Sequence, residues 1–243
     1  LVIKVGSSLL VDDSGHVDRQ WLATLAHDIH SLLQAGHEVL VVSSGAIAIG
    51  SSVLGINKRR ARLEDLQAAA ASGQVQLVHA YQEVFGAHGI GAAQVLLTPE
   101  DTENRRRFLN ARGTLGRLLE RGVIPIVNEN DSVTTEEIRV GDNDRLAAKV
   151  AQMIQAQHLV ILTSVDGLYD RNPEEGDATL ITEVEDVSQY LDVTTGTSAL
   201  GSGGMYTKMQ AANMAQNAGC ETLIARGDAY VIRIEPEATK AGR

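Results

Sequence analysis

Aromatic residues, cysteine and proline are scarce in this chain of 243 residues. The chain has 2 Phe, 1 Trp, 5 Tyr, 4 Pro and a single cysteine, Cys220. One cysteine excludes a disulfide framework, and so few aromatic rings leave Ala, Val, Ile and Leu to form the core. Such a core is typical of a parallel sheet covered by helices. The longest apolar runs, Val39–Val42 and Leu159–Leu162, are far shorter than the roughly 20 residues that a membrane span requires.

Positive charge is also in short supply. The chain has 21 Lys and Arg against 31 Asp and Glu, which gives a net charge of −10. This balance argues against a nucleic-acid-binding protein, because such proteins present a basic face to the phosphate backbone. No low-complexity linker and no internal repeat divides the chain, so we expect a single domain over residues 1–243. The composition predicts a reduced, soluble, cytoplasmic protein with neither a nucleic acid nor a membrane as partner.

Short β-branched runs alternate with amphipathic stretches along the chain. The predicted strands are residues 1–5, 38–43, 92–97, 123–127, 159–163 and 221–225, and the clearest predicted helices are 18–35, 66–85, 105–121, 143–157 and 204–218. Asp18 is the expected N-cap of the first of these helices, and Gly36 its expected end. Strand–helix–strand repetition predicts an α/β fold, with parallel strands and helices on both faces of one open sheet.

Polar residues and glycines follow several of the predicted strands. They form the segments 4–8, 43–46, 128–131 and 163–167, and a glycine loop at 201–204 opens the helix that carries Lys208. Ligands of parallel α/β sheets bind beyond the carboxyl ends of the strands. Backbone N–H groups and helix N-termini at that edge can hold anions, so the sequence predicts an anion site there.

Two lysines stand out at this edge. Lys4 lies in an apolar strand, where an unpaired ammonium group would be costly. It is therefore either an edge lysine whose charge reaches solvent or a lysine that contacts a bound phosphate. Lys208 lies about one turn into its helix and could be either a solvated lysine or a second phosphate contact.

A second polar cluster precedes the helix predicted at 143–157. Asp142 can serve as a helix cap, but capping does not require Asn143 and Asp144 to be polar as well. Upstream, residues 128–131 bring two asparagines, a glutamate and an aspartate to the end of a buried strand. Such donors and acceptors suit the ammonium and carboxylate groups of an amino acid.

Several other chemistries lack their sequence motifs. The chain has no P-loop motif, no G-x-G-x-x-G after a strand, no H-E-x-x-H, no nucleophile elbow and no Cys/His metal set. A calcium loop beginning at Asp170 would need a closing glutamate where Ile181 stands. We therefore assign no residue to a metal.

Six motifs, in this order, carry a resemblance to a known family. They are the segments 4–8 (KVGSS), 43–48 (SSGAIA), 108–112 (FLNAR), 128–131 (NEND), 140–144 (VGDND) and 203–208 (GGMYTK). From Leu1 to about Gly227 the chain resembles the glutamate 5-kinases of the amino acid kinase superfamily. The NEND and VGDND segments distinguish it from acetylglutamate kinases, aspartokinases and UMP kinases. The resemblance implies a three-layer αβα sandwich with an open, mainly parallel sheet of about eight strands, the amino acid kinase fold.

The resemblance also implies a reaction. ATP and L-glutamate would give ADP and L-glutamyl 5-phosphate, the first step of proline biosynthesis, with Mg²⁺ carried on the nucleotide. Proline would act as a feedback inhibitor, and the protein would form a homo-oligomer, either a dimer or a tetramer.

The site residues that the resemblance implies fall into three groups. Ser44, Asp131 and Asn143 match the glutamate-binding positions, with Asn128 as an added contact. Lys4 and Lys208 match the lysines that contact the phosphates, and Asp144 matches the acid that holds them in place. The nucleotide-binding positions correspond to Lys4, Thr163, Ser164, Ser202, Gly203, Gly204, Met205, Tyr206, Thr207 and Lys208.

The chain departs from the family pattern at a few points. Ser164 stands where the family usually has an acidic residue, and Gly113 where Asp is common. We expect no C-terminal PUA module in residues 1–243, either because it is truncated here or because it is naturally missing. The residues after Gly227 match the closing strands of the family poorly. Two alternatives stay open: a related kinase that acts on N-acetylglutamate or aspartate, and a non-catalytic amino acid sensor on the same fold. Retention of both Lys4 and Lys208 argues against the sensor, because binding an amino acid requires neither lysine.

Overall fold

Six parallel strands form the central sheet in the part of the chain that the structure describes. The computed structural model describes residues 1–58, 60–133, 142–171, 176–194 and 203–227. Within them the strands are β1 (Val2–Val5), β2 (Leu40–Val42), β3 (Gly91–Leu97), β4 (Val123–Glu129), β5 (His158–Thr163), β6 (Leu168–Tyr169), β7 (Leu180–Ile181) and β8 (Glu221–Arg226). The sheet order is β3-β4-β2-β1-β5-β8, whereas β6 and β7 pair antiparallel with each other.

Helices cover both faces of this sheet. They are α1 (Ser7–Leu10), α2 (Arg19–Gln34), α3 (Ala46–Leu54), α4 (Leu63–Gly86), α5 (Pro99–Glu103), α6 (Arg105–Glu120), α7 (Asp142–Ile154), α8 (Ser188–Thr194) and α9 (Gly203–Asn217). One buried apolar cluster joins the sheet to α2, α3 and α4, and a second joins its other face to α6, α7 and α9. The predicted αβα sandwich is therefore confirmed.

The alternation of side chains along β1 decides which way Lys4 points. Ile3 and Val5 belong to the apolar cluster on the α2 and α4 side, and Val2 belongs to the cluster on the α7 and α9 side. Successive side chains of a strand point to opposite faces of the sheet, so Lys4 shares the face of Val2. Its ammonium group is thereby directed toward α7 and α9.

The best-defined helix signal is also confirmed. The Asp18 side chain accepts a hydrogen bond from the Trp21 N–H at 2.9 Å and caps α2. Gly36 follows that helix with a φ of +88°, a left-handed conformation that glycine adopts without steric cost.

The structure differs from the sequence prediction in its shorter elements. All six predicted strands are present, and within the described residues they form the main sheet, while the other two described strands form the separate β6–β7 pair. The short helices α1, α5 and α8 were not predicted, since 4 to 7 residues are too few to display a helical period. Within the described ranges, no helix is both long and apolar enough to span a membrane.

Candidate active site

The parallel register brings the predicted site residues to one edge of the sheet. Lys4 pairs in register with Val42 of β2 and Ile161 of β5, and Val42 pairs with Val127 of β4. Neighbouring strands lie roughly 4.8 Å apart. The residues that follow these positions, including Ser44, Asn128 and Thr163, therefore emerge side by side at the carboxyl end of the sheet.

The centre of this edge is an ion-pair cluster of two lysines and one aspartate. Lys4 Nζ lies 2.6 Å from Asp144 Oδ1, and Lys208 Nζ lies 3.2 Å from Asp144 Oδ2. β1 supplies the first lysine, the start of α7 the aspartate, and the first turns of α9 the second lysine. The structure thus brings together three residues that the sequence motifs singled out separately.

Backbone and hydroxyl groups of α9 complete the cluster. Thr207 Oγ1 lies 2.9 Å from Asp144 Oδ2, where its hydroxyl donates, and 3.0 Å from the Gly204 carbonyl oxygen. That carbonyl also accepts a hydrogen bond from Lys208 Nζ at 3.2 Å. Both lysine ammonium groups are thereby held in fixed positions rather than free to rotate in solvent.

The cluster is almost fully buried, and Lys4 and Asp144 have altered proton affinities in it. The exposed fractions are 6% for Lys4, 1% for Asp144 and 9% for Lys208. Burial lowers the pKa of Lys4, with a smaller contribution from the Lys208 charge, while Asp144 only partly offsets both. Burial alone would raise the pKa of Asp144, but the two lysines and Thr207 together outweigh it and hold that pKa below its ordinary value. Asp144 is therefore a carboxylate near neutral pH.

The turn between β2 and α3 presents Ser44. Gly45 caps α3 with a φ of +96°, which a residue with a side chain rarely adopts, and a Cβ there would lie 3.0 Å from Val11 Cγ2. Beneath the turn, the buried Ser43 Oγ lies 3.1 Å from the Tyr81 hydroxyl. Ser44 is half-buried at the sheet edge, next to the residue that contacts Tyr81.

Asn128 and Gln74 form a buried pair of amides. The Glu129 N–H donates to Asn128 Oδ1 at 2.9 Å, and Asn128 Nδ2 donates to Gln74 Oε1 at 2.8 Å. Asn128 was predicted from its motif, but Gln74 was missed. The signal for Gln74 is its position in the stripe of α4 that also buries Ala70, Leu77 and Tyr81, where a polar residue needs a polar partner.

The remaining amino-acid-binding candidates lie on either side of the undescribed segment 134–141. Asp131 is buried two residues after β4, and Asn143 is the second residue of α7. Asn143 Oδ1 is buried, and it has no hydrogen-bond partner within the described part of the chain. Such an acceptor is available to a ligand that carries N–H groups.

The nucleotide-binding candidates are more dispersed. Thr163 ends β5 and is buried, and its carbonyl accepts a hydrogen bond from the Gly227 N–H at 2.9 Å, whereas Ser164 is exposed. Of the predicted loop, Gly203 begins α9, Gly204, Met205, Tyr206 and Thr207 are half-buried in its first turns, and Ser202 lies outside the described residues. The side chain of Asp142, the predicted cap, also lies outside them.

The fold and this edge together define a class of protein: a parallel α/β protein that places buried positive charge at the carboxyl ends of its strands, the edge where ligands of such sheets bind. A family model described as "Amino acid kinase family" matches residues 1–226. The chain belongs to the amino acid kinase family.

Individual relatives agree with this assignment. The chain is 53% identical to a protein named glutamate 5-kinase from Paramagnetospirillum magneticum, over 232 residues that cover 94% of this chain and 62% of that protein. It is also 53% identical to a glutamate 5-kinase from Sphingopyxis alaskensis, over 93% of this chain and 63% of that protein. The chain therefore spans less than two thirds of the length of these relatives.

A solved structure shares the fold. Carbamate kinase from Giardia lamblia bound to AMP-PNP superposes with a TM-score of 0.66, covering 95% of this chain and 93% of that chain. The two sequences are 17% identical, so this likeness concerns the fold alone.

Proposed function

We propose that this chain transfers the γ-phosphoryl group of ATP to the side-chain carboxylate of L-glutamate. The products are ADP and L-glutamyl 5-phosphate, which makes the protein a glutamate 5-kinase and places it at the first step of proline biosynthesis. The names of its relatives support the choice of substrate. We further propose that residues 1–243 act as one kinase domain.

The observation that carries this proposal is the pair of buried ammonium groups on Asp144. Both substrates of the reaction are anions, so the main difficulty is to bring them together. In phosphoryl transfer, catalysis consists mostly of positioning and of stabilising charge on the transferred group. Lys4 and Lys208 supply that charge in a site where burial weakens solvent screening.

The chemistry requires no general base. A carboxylate oxygen of glutamate attacks the γ-phosphorus, the bond from that phosphorus to the β,γ-bridging oxygen breaks, and the electron pair leaves with ADP. Because the attacking carboxylate is already ionised near neutral pH, no proton has to move. The Lys4 and Lys208 ammonium groups contact the phosphoryl oxygens throughout.

Polar groups on the amino acid side of the site suit glutamate. Asn143 Oδ1, which has no hydrogen-bond partner among the described residues, and the carboxylate of Asp131 are acceptors for the substrate ammonium group. Ser44 and Asn128 add donors for the substrate carboxylates. Proline carries the same amino and carboxylate groups, so we propose that it inhibits the reaction.

On the nucleotide side, we propose that Thr163, Ser164 and the residues from Ser202 to Lys208 contact ATP. Both oxygens of Asp144 contact ammonium groups, which makes this carboxylate a poor ligand for a cation of its own. We therefore propose that Mg²⁺ arrives bound to the triphosphate, where it neutralises part of the charge. We also propose a homo-oligomer, a dimer or a tetramer.

A colorimetric assay tests the choice of substrate. The chain is incubated with ATP, Mg²⁺, hydroxylamine and one acid at a time: L-glutamate, L-aspartate or N-acetyl-L-glutamate. Hydroxylamine converts an acyl phosphate into a coloured hydroxamate, and we expect colour with L-glutamate alone. Colour with another acid instead would identify a related kinase, and glutamate binding without colour would identify an amino acid sensor.

A further inference from the structure

Gln74 is a buried polar residue that has no role in the phosphoryl transfer proposed above. Its side chain is 7% exposed, and its only described hydrogen bond is the one that Oε1 accepts from Asn128 Nδ2 at 2.8 Å. Gln74 Nε2 is buried and has no partner within the described residues. Burying an amide donor without a partner is unfavourable, so this arrangement requires a reason.

A close helix crossing adjoins Gln74 in the sequence of α4. A Cβ on Gly50 of α3 would lie 1.8 Å from the Ala69 carbonyl oxygen, and a Cβ on Gly73 of α4 would lie 1.9 Å from the Ala46 carbonyl oxygen. The two helix backbones are therefore in direct contact. Gln74 follows Gly73 in α4, and α3, the helix that Gly73 contacts, begins two residues after Ser44.

The hydrogen bonds fix the orientation of both amides. The Glu129 N–H requires an acceptor, so Asn128 must present Oδ1 to it, and this turns Nδ2 toward Gln74. Gln74 must then present Oε1, which leaves its Nε2 without a partner among the described residues. The Glu129 N–H thus determines the orientation of both amides, and Gln74 Nε2 consequently has no partner in the part of the chain that the structure describes.

We propose that Gln74 is a positioning residue for the amino acid substrate and that it acts through Asn128. Asn128 Oδ1 accepts from the Glu129 N–H, and one Nδ2 hydrogen donates to Gln74, so the direction of the second Nδ2 hydrogen is fixed. At the end of β4 this second hydrogen donates to an oxygen of the bound acid. Preorganising that donor lowers the cost of ordering it on binding. This inference rests on the proposed function.

Steady-state kinetics of the full chain test the proposal with Gln74→Met and Gln74→Asn. Methionine removes the acceptor at similar volume, and asparagine retains the amide but is one methylene too short to reach Asn128. The control is Gln76→Met, an exposed glutamine on the same helix. We expect both Gln74 variants to raise the KM for L-glutamate about three- to tenfold, the effect of one neutral hydrogen bond, with kcat and the KM for ATP within about twofold. KM does not depend on the amount of folded enzyme, so partial loss of folding does not obscure the result.

A double-mutant cycle separates positioning from a general structural effect. If Gln74 acts through Asn128, then Gln74→Met adds nothing to the glutamate KM once Asn128→Ala is present. A double variant whose KM rises by the product of the two single effects overturns the proposal. An unchanged glutamate KM in both Gln74 variants also overturns it.

Calorimetric titration with L-glutamate in the absence of ATP distinguishes this inference from the proposed function. A parent chain that binds L-glutamate without turnover, and whose affinity Gln74→Met weakens, overturns the kinase proposal and retains the inference. A parent chain that phosphorylates L-glutamate, together with Gln74 variants whose affinity and KM for L-glutamate are unchanged, retains the kinase proposal and overturns the inference. A parent that neither binds nor phosphorylates L-glutamate overturns both.

Discussion

At the scale of single residues, two ammonium groups share one buried carboxylate. The two positive charges exceed the one negative charge, so the cluster of Lys4, Asp144 and Lys208 is left with a net positive charge close to the sheet edge. Removing such groups from water is costly unless they are paired and hydrogen-bonded. We therefore predict that the remaining charge binds an anion, which would in turn relieve the repulsion between the lysines.

Asp144 also controls the proton affinity of Lys4, and this can be measured. Burial and Lys208 lower the pKa of Lys4, whereas Asp144 raises it through its charge and its hydrogen bond. Asp144→Asn removes the contributions that raise the pKa, so Lys4 loses its proton at lower pH. We expect the alkaline decline of kcat to move to lower pH in a pH–rate profile of this variant.

The exposed Asp13→Asn substitution is the control for that profile and should leave it unchanged. An alkaline decline at the same pH in Asp144→Asn as in the parent, or at higher pH, would show that Asp144 does not sustain the charge on Lys4.

Sequence motifs pointed to Lys4, Asp144 and Lys208, because lysines and an acid next to glycine-rich turns are unusual in an otherwise apolar pattern. Gln74 could not be found in the same way. Its partner Asn128 is 54 positions away, and only the folded arrangement of α4 against β4 brings the two together. The roles of these residues in binding and catalysis stay predictions.

At the scale of elements, α3 and α4 cross with their backbones in contact, next to the proposed amino acid site. Long helices and buried strands were predictable, since their hydrophobic period extends over enough residues. The crossing itself was not, because a glycine in a helix gives no indication of whether a neighbouring backbone approaches it. Gly50 and Gly73 are contact points, whereas no described residue lies within 4 Å of a Cβ placed on Gly113 in α6.

Gly50→Ala tests the importance of this crossing for stability. The added methyl group would lie 1.8 Å from a carbonyl oxygen, so the helices must move apart. We expect the free energy of unfolding, measured in urea, to fall by about 1–3 kcal/mol, the usual cost of overpacking.

Gly113→Ala provides the matched control, as it adds the same methyl group to a helix where nothing lies within 4 Å. It should raise the free energy of unfolding by about 0.5–1 kcal/mol, because alanine loses less backbone entropy than glycine. Equal effects of the two substitutions would contradict the account of the crossing.

At the scale of the whole molecule, the fold joins distant parts of the chain. Lys4 and Lys208 are separated by 204 positions (208 − 4), and they meet because β1 lies at the centre of the sheet while α9 packs on the face to which Lys4 points. Alternation of strands and helices was sufficient to predict a parallel sheet covered on both faces. It could not fix the strand order, which depends on how the crossovers pack and not on any local pattern.

The most direct test of the central claim is the turnover of Lys208→Ala with ATP and L-glutamate. Loss of one preorganised positive group should lower kcat about 100- to 1000-fold while the circular dichroism spectrum remains that of the parent. Lys149→Ala serves as the control, since Lys149 lies on α7 but contacts Thr102 and Glu103 away from the cluster, and it should retain the parental kcat. Near-normal turnover in Lys208→Ala would contradict the claim that this lysine stabilises the transferred phosphoryl group.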